Sequence, residues 1–256
     1  MGILNVTPDS FSDGGRYNAP AEAVAHGNAL IAAGADMIDV GGESTRPGGQ
    51  AVSVEDELGR VLPPLRSLVG AGRCVSIDTR NAAVMEAALS EGAAIVNDVS
   101  ALTHDDRSLE VILRHRCPVV LMHMKGDTAT MNDDPHYDDV VGEVTATLDG
   151  LAKRYIAAGL DPGQIALDPG LGFGKKHRHN LALLQNLEKL VALGYPICLG
   201  ASRKLAAWTA SDDIKLGVSV TAAVLAAQQG AALLRVHDVA ETRAALRVAG
   251  FDMPQN

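Results

Sequence analysis

The sequence predicts an α/β fold, a single (β/α)8 TIM barrel with the active site at the C-terminal rim of its strands. Three observations carry this expectation. The 256 residues match the roughly 250 of such a barrel. Eight short β-branched or apolar runs recur, each followed by a Gly, Pro, Ser or Asp cluster and then by an amphipathic or Ala/Leu-rich stretch of helical length. From Asn5 to His237 they advance in seven steps of about 33 residues, the size of one unit when strands are parallel and each crossover is a helix. No linker or composition break divides residues 1–256, so one domain is expected. A doubly wound open sheet is the alternative, since periodicity alone does not separate a closed strand order from an open one.

In chain order, the first unit pairs a strand at 2–6, the run Gly-Ile-Leu-Asn-Val, with an Ala-rich helix at 19–33. The next three pair strands at 37–40, 74–78 and 95–99 with helices at 54–68, 82–90 and 108–114. Strands at 119–123 and 165–168 precede helices at 138–158 and 181–193, and strands at 197–201 and 233–237 precede helices at 216–229 and 240–248.

Composition supports a packed core, with 47% hydrophobic residues, 26 glycines and 11 prolines. Aromatic residues are only 3%, so aliphatic side chains and alanine must fill the interior. Lys and Arg total 22 against 31 Asp and Glu, a net charge of −9, which argues against nucleic acid or an anionic membrane as a partner. Cys74, Cys117 and Cys198 form no C-x-x-C pair and read as buried thiols in a reducing compartment. The start of the sequence shows neither a secretory pattern nor a myristoylation pattern. The uncharged stretch 216–234 contains Gln-Gln-Gly and reads as a helix end before a strand, not as a membrane span. A cytoplasmic protein is expected.

Polar residues mark the C-terminal side of nearly every strand: Asn5, Asp39, Asp78, Asn97 with Asp98, His123, Asp168, the Ser202-Arg203-Lys204 turn, and Arg235 with His237. One such group is a cap or an ion pair; eight converging ends indicate a functional mouth, because an unpartnered buried charge costs several kcal/mol. Lys204, Arg235 and His237 come from the last two units, where barrels often bind phosphate, and Asp78, Asn97 and Asp168 suit a flat ligand with N–H donors. A phosphorylated, nitrogen-rich small molecule fits both. Two early loops, 7–15 and 41–49, are rich in Gly, Ser, Thr, Asp and Pro and are candidate lids. The run Gly170-Leu171-Gly172-Phe173-Gly174-Lys175 fits neither nucleotide-loop pattern and reads as a ligand-facing loop. No H-E-x-x-H occurs, and His177 and His179 read as solvated.

Eight segments in register resemble dihydropteroate synthase: 5–15, 42–48, 76–79, 97–99, 121–124, 168–174, 202–204 and 235–239. The resemblance covers essentially the whole chain. It implies a folate-pathway transferase, a sulfonamide target, that joins 6-hydroxymethyl-7,8-dihydropterin diphosphate to 4-aminobenzoate with Mg2+ assistance, releasing diphosphate through an SN1-like ionisation. By the same resemblance Asp78, Asn97, Asp168 and Lys204 hold the pterin, and Asn5, Arg235 and His237 hold the diphosphate with its metal. Asp13, Thr45 and Arg46 cover the reacting centre, and Phe11, Pro47, Phe173 and the turn at Ser202 border the aminobenzoate. A homodimer is also implied.

Departures from the family pattern are visible. Leu205-Ala206-Ala207-Trp208 stands where the family has a basic or small residue, a bulky apolar one and Ile-Gly, so an altered arylamine pocket with weaker sulfonamide inhibition is expected. Ala101 stands where glycine is common, and both ends are shorter than in family chains. Two alternatives share the pterin site: a methyltransferase domain that passes a methyl group to a corrinoid protein, and a non-catalytic pterin-binding paralogue. Arg235, His237 and the two lid loops favour the synthase.

Overall fold

The computed structural model describes residues 1–7, 19–43, 52–126, 131, 133–206, 209 and 211–252. Strands and helices alternate as β1 (Gly2–Asn5), α1 (Ala19–Ala32), β2 (Ile38–Gly41), α2 (Val54–Gly70), β3 (Val75–Asp78), α3 (Ala82–Ser90), β4 (Ile95–Asp98) and α4 (Ser108–His115). They continue as β5 (Val119–Met122), α5 (Val140–Ala157), β6 (Ile165–Asp168), α6 (His177–Gln185), α7 (Glu188–Val191), β7 (Cys198–Leu199), α8 (Asp212–Gln228), β8 (Leu233–Leu234) and α9 (Val239–Val248).

β1 to β6 pair in chain order, all parallel, and β7 pairs with β8. Parallel bridges Leu167↔Ile197 and Gly2↔Val236 join the two sheets at both seams, so the strands run round as a ring, as expected of a TIM barrel. The seams are narrow for a local reason at one of them: Pro196, which has no N–H to give, only accepts, from the Leu167 N–H at 2.9 Å. At the other, Ile3 donates to the Val236 carbonyl and Val236 to the Met1 carbonyl, each at 3.0 Å.

Buried parallel strands read as near-continuous apolar runs because both faces are covered. Leu4, Ile38, Val40, Val75, Ile77 and Val96 accordingly join Leu65 and Leu68 of α2 and Val84 and Met85 of α3 in one core. Each fully buried aliphatic side chain contributes about 1.5–3 kcal/mol. Side-chain caps start α2 and α5: Ser53 accepts from the Asp56 N–H at 3.1 Å and Asp139 from that of Gly142 at 3.1 Å.

The structure corrects several expectations. The helix expected at 181–193 is two helices, α6 and α7, broken at Asn186, whose amide turns back onto the Ala182 carbonyl at 2.9 Å. The last two strands are two residues each, Cys198–Leu199 and Leu233–Leu234, shorter than the runs expected at 197–201 and 233–237. Cys74 is exposed, whereas Cys117 and Cys198 are buried. His177 is solvated, but His179 is buried with its ring edge on Tyr137 and its Nδ1 accepting from the Lys176 N–H at 3.2 Å.

Candidate active site

Pairing register aligns the C-terminal ends of the strands. Asn5 pairs with Gly41, Gly41 with Asp78 and Asp78 with Asn97, one row running across four strands. Residues in one row share a face of the sheet, and Gly41 leaves that row open beside Asp78, since a Cβ there would lie 3.4 Å from the Asp78 Cβ.

Arg235, just past β8, reaches into this row. Its Nε donates to Asp39 Oδ2 at 2.6 Å and its Nη2 to Asp78 Oδ2 at 2.6 Å. Asp39 Oδ2 also accepts from Asn97 Nδ2 at 3.0 Å. Asp39 is wholly buried, and its Oδ1 has no hydrogen-bond partner among the described residues. Burial raises Asp78 to about 7 against the pull of Arg235, with Asp39 adding to the rise. Burial works to lower Arg235, and Asp39 and Asp78 outweigh it, so the guanidinium stays charged. Two carboxylates thus share one cation.

Asp168, at the end of β6, is 6% exposed and accepts from the Gly170 N–H at 2.7 Å. Burial pushes its carboxyl upward, opposed first by Lys204. Burial likewise lowers Lys204 to about 8, with Asp168 holding it up. Gly200 makes room for the convergence: a Cβ there would sit 3.7 Å from Lys204 Nζ, 3.8 Å from Asp168 Oδ2 and 3.9 Å from Arg235 Cδ. Asp168 and Arg235 therefore converge at one point of the rim.

Lys204 Nζ also lies 4.3 Å from the centre of the Phe173 ring. Ser202 Oγ lies 2.9 Å from His237 Nδ1 and accepts from the His237 N–H at 3.4 Å. Two contacts to one hydroxyl fix the orientation of the His237 ring. Burial, then Arg203 and Arg235, lower His237 to about 4, so the imidazole is neutral at pH 7.

Of the residues expected from the sequence, Asp78, Asn97, Asp168, Lys204, Arg235, Phe173, Ser202, His237 and Asn5 all lie at this rim. Phe11, Asp13, Thr45, Arg46 and Pro47 lie outside the described residues, as do most of the two lid loops, Ala207 and Trp208. Two residues went unassigned at the sequence level. Asp39 was visible only as a polar strand end, and Lys175 only as the end of a glycine loop. Among the described residues no three His, Cys, Asp or Glu side chains form a metal cluster. The chemistry of the Asn5 amide oxygen nonetheless suits Mg2+, which is held largely by substrate phosphates and water and not by a protein cage.

A family model described as "Pterin binding enzyme" matches residues 1–237. A dihydropteroate synthase of Neisseria meningitidis serogroup C is 45% identical over 255 residues, 96% of this chain and 90% of the relative. The chain belongs to the dihydropteroate synthase family of pterin-binding enzymes. Solved members of the dihydropteroate synthase family share its architecture. The Xanthomonas albilineans enzyme with 4-aminobenzoic acid superposes at a TM-score of 0.90 with 48% identity, over 97% of this chain and 90% of that one. The same organism's enzyme in complex with 7,8-dihydropteroate gives 0.87 and 45%, over 97% and 90%.

Proposed function

We propose that this chain condenses 6-hydroxymethyl-7,8-dihydropterin diphosphate with 4-aminobenzoate, giving 7,8-dihydropteroate and diphosphate in folate biosynthesis. The observation that carries the reading is the convergence of Asp168, Lys204 and Arg235 around Gly200, with Asp78 and Asn97 beside them. The Xanthomonas albilineans relatives, solved with 4-aminobenzoic acid and with 7,8-dihydropteroate, support the choice of substrate and product.

The residue types account for the chemistry. The pterin 2-amino and ring N–H groups are donors, so Asp168 accepts from them, and charge-assisted bonds of this kind contribute about 1.5–3 kcal/mol each. Asn97 and Lys204 complete the grip on the heterocycle. When the methylene–oxygen bond breaks, its electron pair leaves with diphosphate and positive charge spreads into the pterin ring, where Asp78 stabilises it. Arg235 supplies fixed positive charge at the departing end. His237, neutral, offers a hydrogen bond and adds no charge. The arylamine lone pair then forms the new carbon–nitrogen bond and the amine loses a proton; a neutral arylamine needs no general base. Held through Asn5, Mg2+ would offset charge on the diphosphate. Asp13, Thr45 and Arg46 cover the centre, and Phe11, Pro47, Phe173 and Ser202 border the aminobenzoate, as the family resemblance implies.

A coupled assay with pterin diphosphate, 4-aminobenzoate and Mg2+ tests the reading. Diphosphate release that depends on the arylamine is the expected result, with Arg235→Ala slower by about a hundredfold or more. Equal product from both proteins overturns the role of Arg235, and arylamine-independent turnover overturns the reaction. The departure from the family pattern at Leu205-Ala206-Ala207-Trp208 alters the arylamine side, so sulfonamides inhibit more weakly than in ordinary family members; matching inhibition constants contradict this. The cytoplasm is assigned on the reducing-compartment reading of the cysteines and a homodimer on family resemblance, and a monomer by light scattering at micromolar concentration contradicts the second assignment.

A further inference from the structure

Lys175 is a lysine buried to 5% exposure whose partners are all neutral. Its Nζ donates to the carbonyls of Phe173 at 2.9 Å, Gly170 at 3.0 Å and His123 at 3.1 Å, and lies 3.0 Å from His123 Nδ1. Three N–H groups thus serve four acceptors. Burying an ammonium is costly unless every donor is used, and what this arrangement fixes is the loop 169–175. That loop lies directly on the end of β5. Gly170 and Gly174 have φ of +68° and +63°, and a Cβ at either would overlap the carbonyl oxygen of His123 or of Lys125. From the other side, the Tyr137 hydroxyl donates to the Gly174 carbonyl at 2.8 Å. Between these two tied shoulders stands Phe173, packed on Val99, Met122 and Met131 and facing the Lys204 ammonium.

We propose that Lys175 is a positioning residue for the arylamine: by binding Gly170, Phe173 and His123 together it fixes Phe173 beside Lys204, at the side of the cavity where the second substrate enters. The inference rests on the proposed function for the identity of that substrate. It also gives a role to His123: an ammonium has no lone pair, so with Lys175 charged the Nδ1 at 3.0 Å is an acceptor and the ring carries its proton on Nε2.

The test compares Lys175→Met, Phe173→Ala, the double variant and Tyr137→Phe in steady-state kinetics. Lys175→Met is expected to raise KM for 4-aminobenzoate by about tenfold or more and to leave KM for pterin diphosphate within about threefold. Because Lys175 acts through Phe173, the double variant is expected to be no worse than the larger single effect. Tyr137→Phe removes one bond to the same loop and keeps the proposal testable should the methionine variant not fold; a smaller rise in the same KM is expected. Multiplying effects in the double variant, equal rises in both KM values, or no change in any variant overturns the proposal. Should the native enzyme make no product, the proposed function fails while this inference is still read directly. The 15N signature of His123 is then expected to show the Nε2–H tautomer in the native protein and to lose it in Lys175→Met. An unchanged signature overturns the positioning role.

Discussion

Asp39 holds two site residues with one oxygen. Its Oδ2 takes both the Arg235 and the Asn97 donors, at 2.6 and 3.0 Å, inside a fully buried setting. Removing one partner of a buried charge pair leaves the other uncompensated, so Asp39→Ala is expected to cost about 3–5 kcal/mol in denaturant unfolding. A loss below about 1 kcal/mol would mean that Arg235 is held by Asp78 alone. Ala101 makes the opposite case. It adopts φ +52°, followed by Leu102 at +61°, and its carbonyl accepts from the Tyr155 hydroxyl at 2.5 Å, which fixes the turn. The left-handed region costs an L-residue about 1–2 kcal/mol, and glycine costs about 0.5–1 kcal/mol in chain entropy. Ala101→Gly is therefore expected to stabilise the fold by about 0.5–1 kcal/mol, and a destabilised variant contradicts this. The sequence showed Ala101 to be unusual for the family, but its backbone conformation depends on Tyr155, a distant contact that no local pattern reveals.

Strand and helix positions follow from local pattern where the pattern is strong. β6 falls at Ile165–Asp168 and α3 at Ala82–Ser90, as expected from the apolar runs. The break between α6 and α7 does not, because it is completed from far along the chain. Gln229 accepts from the Leu187 N–H at 2.9 Å and donates to the Leu184 carbonyl at 2.6 Å, satisfying both ends of the interruption. Gln229→Ala leaves two backbone groups short and is expected to cost about 1–3 kcal/mol; a cost within experimental error shows that water replaces the amide. The end of β5 supplies a pH test. Burial, then Lys175, depress His123 to about 3 from the ordinary 6.5. The unfolded chain takes up a proton between those values and the folded one does not, so stability present above pH 6.5 is lost as pH falls toward 3. Asp98, Asp168 and Glu57, raised by burial, act in the opposite sense. The stability difference between native protein and His123→Gln isolates the histidine and is expected to fall by about 1.4 kcal/mol per pH unit below 6.5. A difference independent of pH contradicts a buried neutral ring.

At the scale of the whole molecule, a chain of net charge −9 gathers Lys204, Arg235 and Lys175 at one end of its barrel, with buried carboxylates beside Arg235 and Lys204 and backbone carbonyls around Lys175. Regular spacing made the barrel legible, and polar strand ends made its mouth legible, because strand direction alone sends those ends to one rim. Which side chains pair there was not legible: Asp39 and Arg235 are 196 positions apart and meet only because the ring closes at β8 and β1. The central claim is that Asp168 and Arg235 act on one ligand from one cavity. Calorimetric titration of pterin diphosphate into native protein, Asp168→Asn and Arg235→Ala tests it most directly. Each substitution is expected to weaken binding by about tenfold or more; native affinity, within about twofold, in either variant contradicts a shared site.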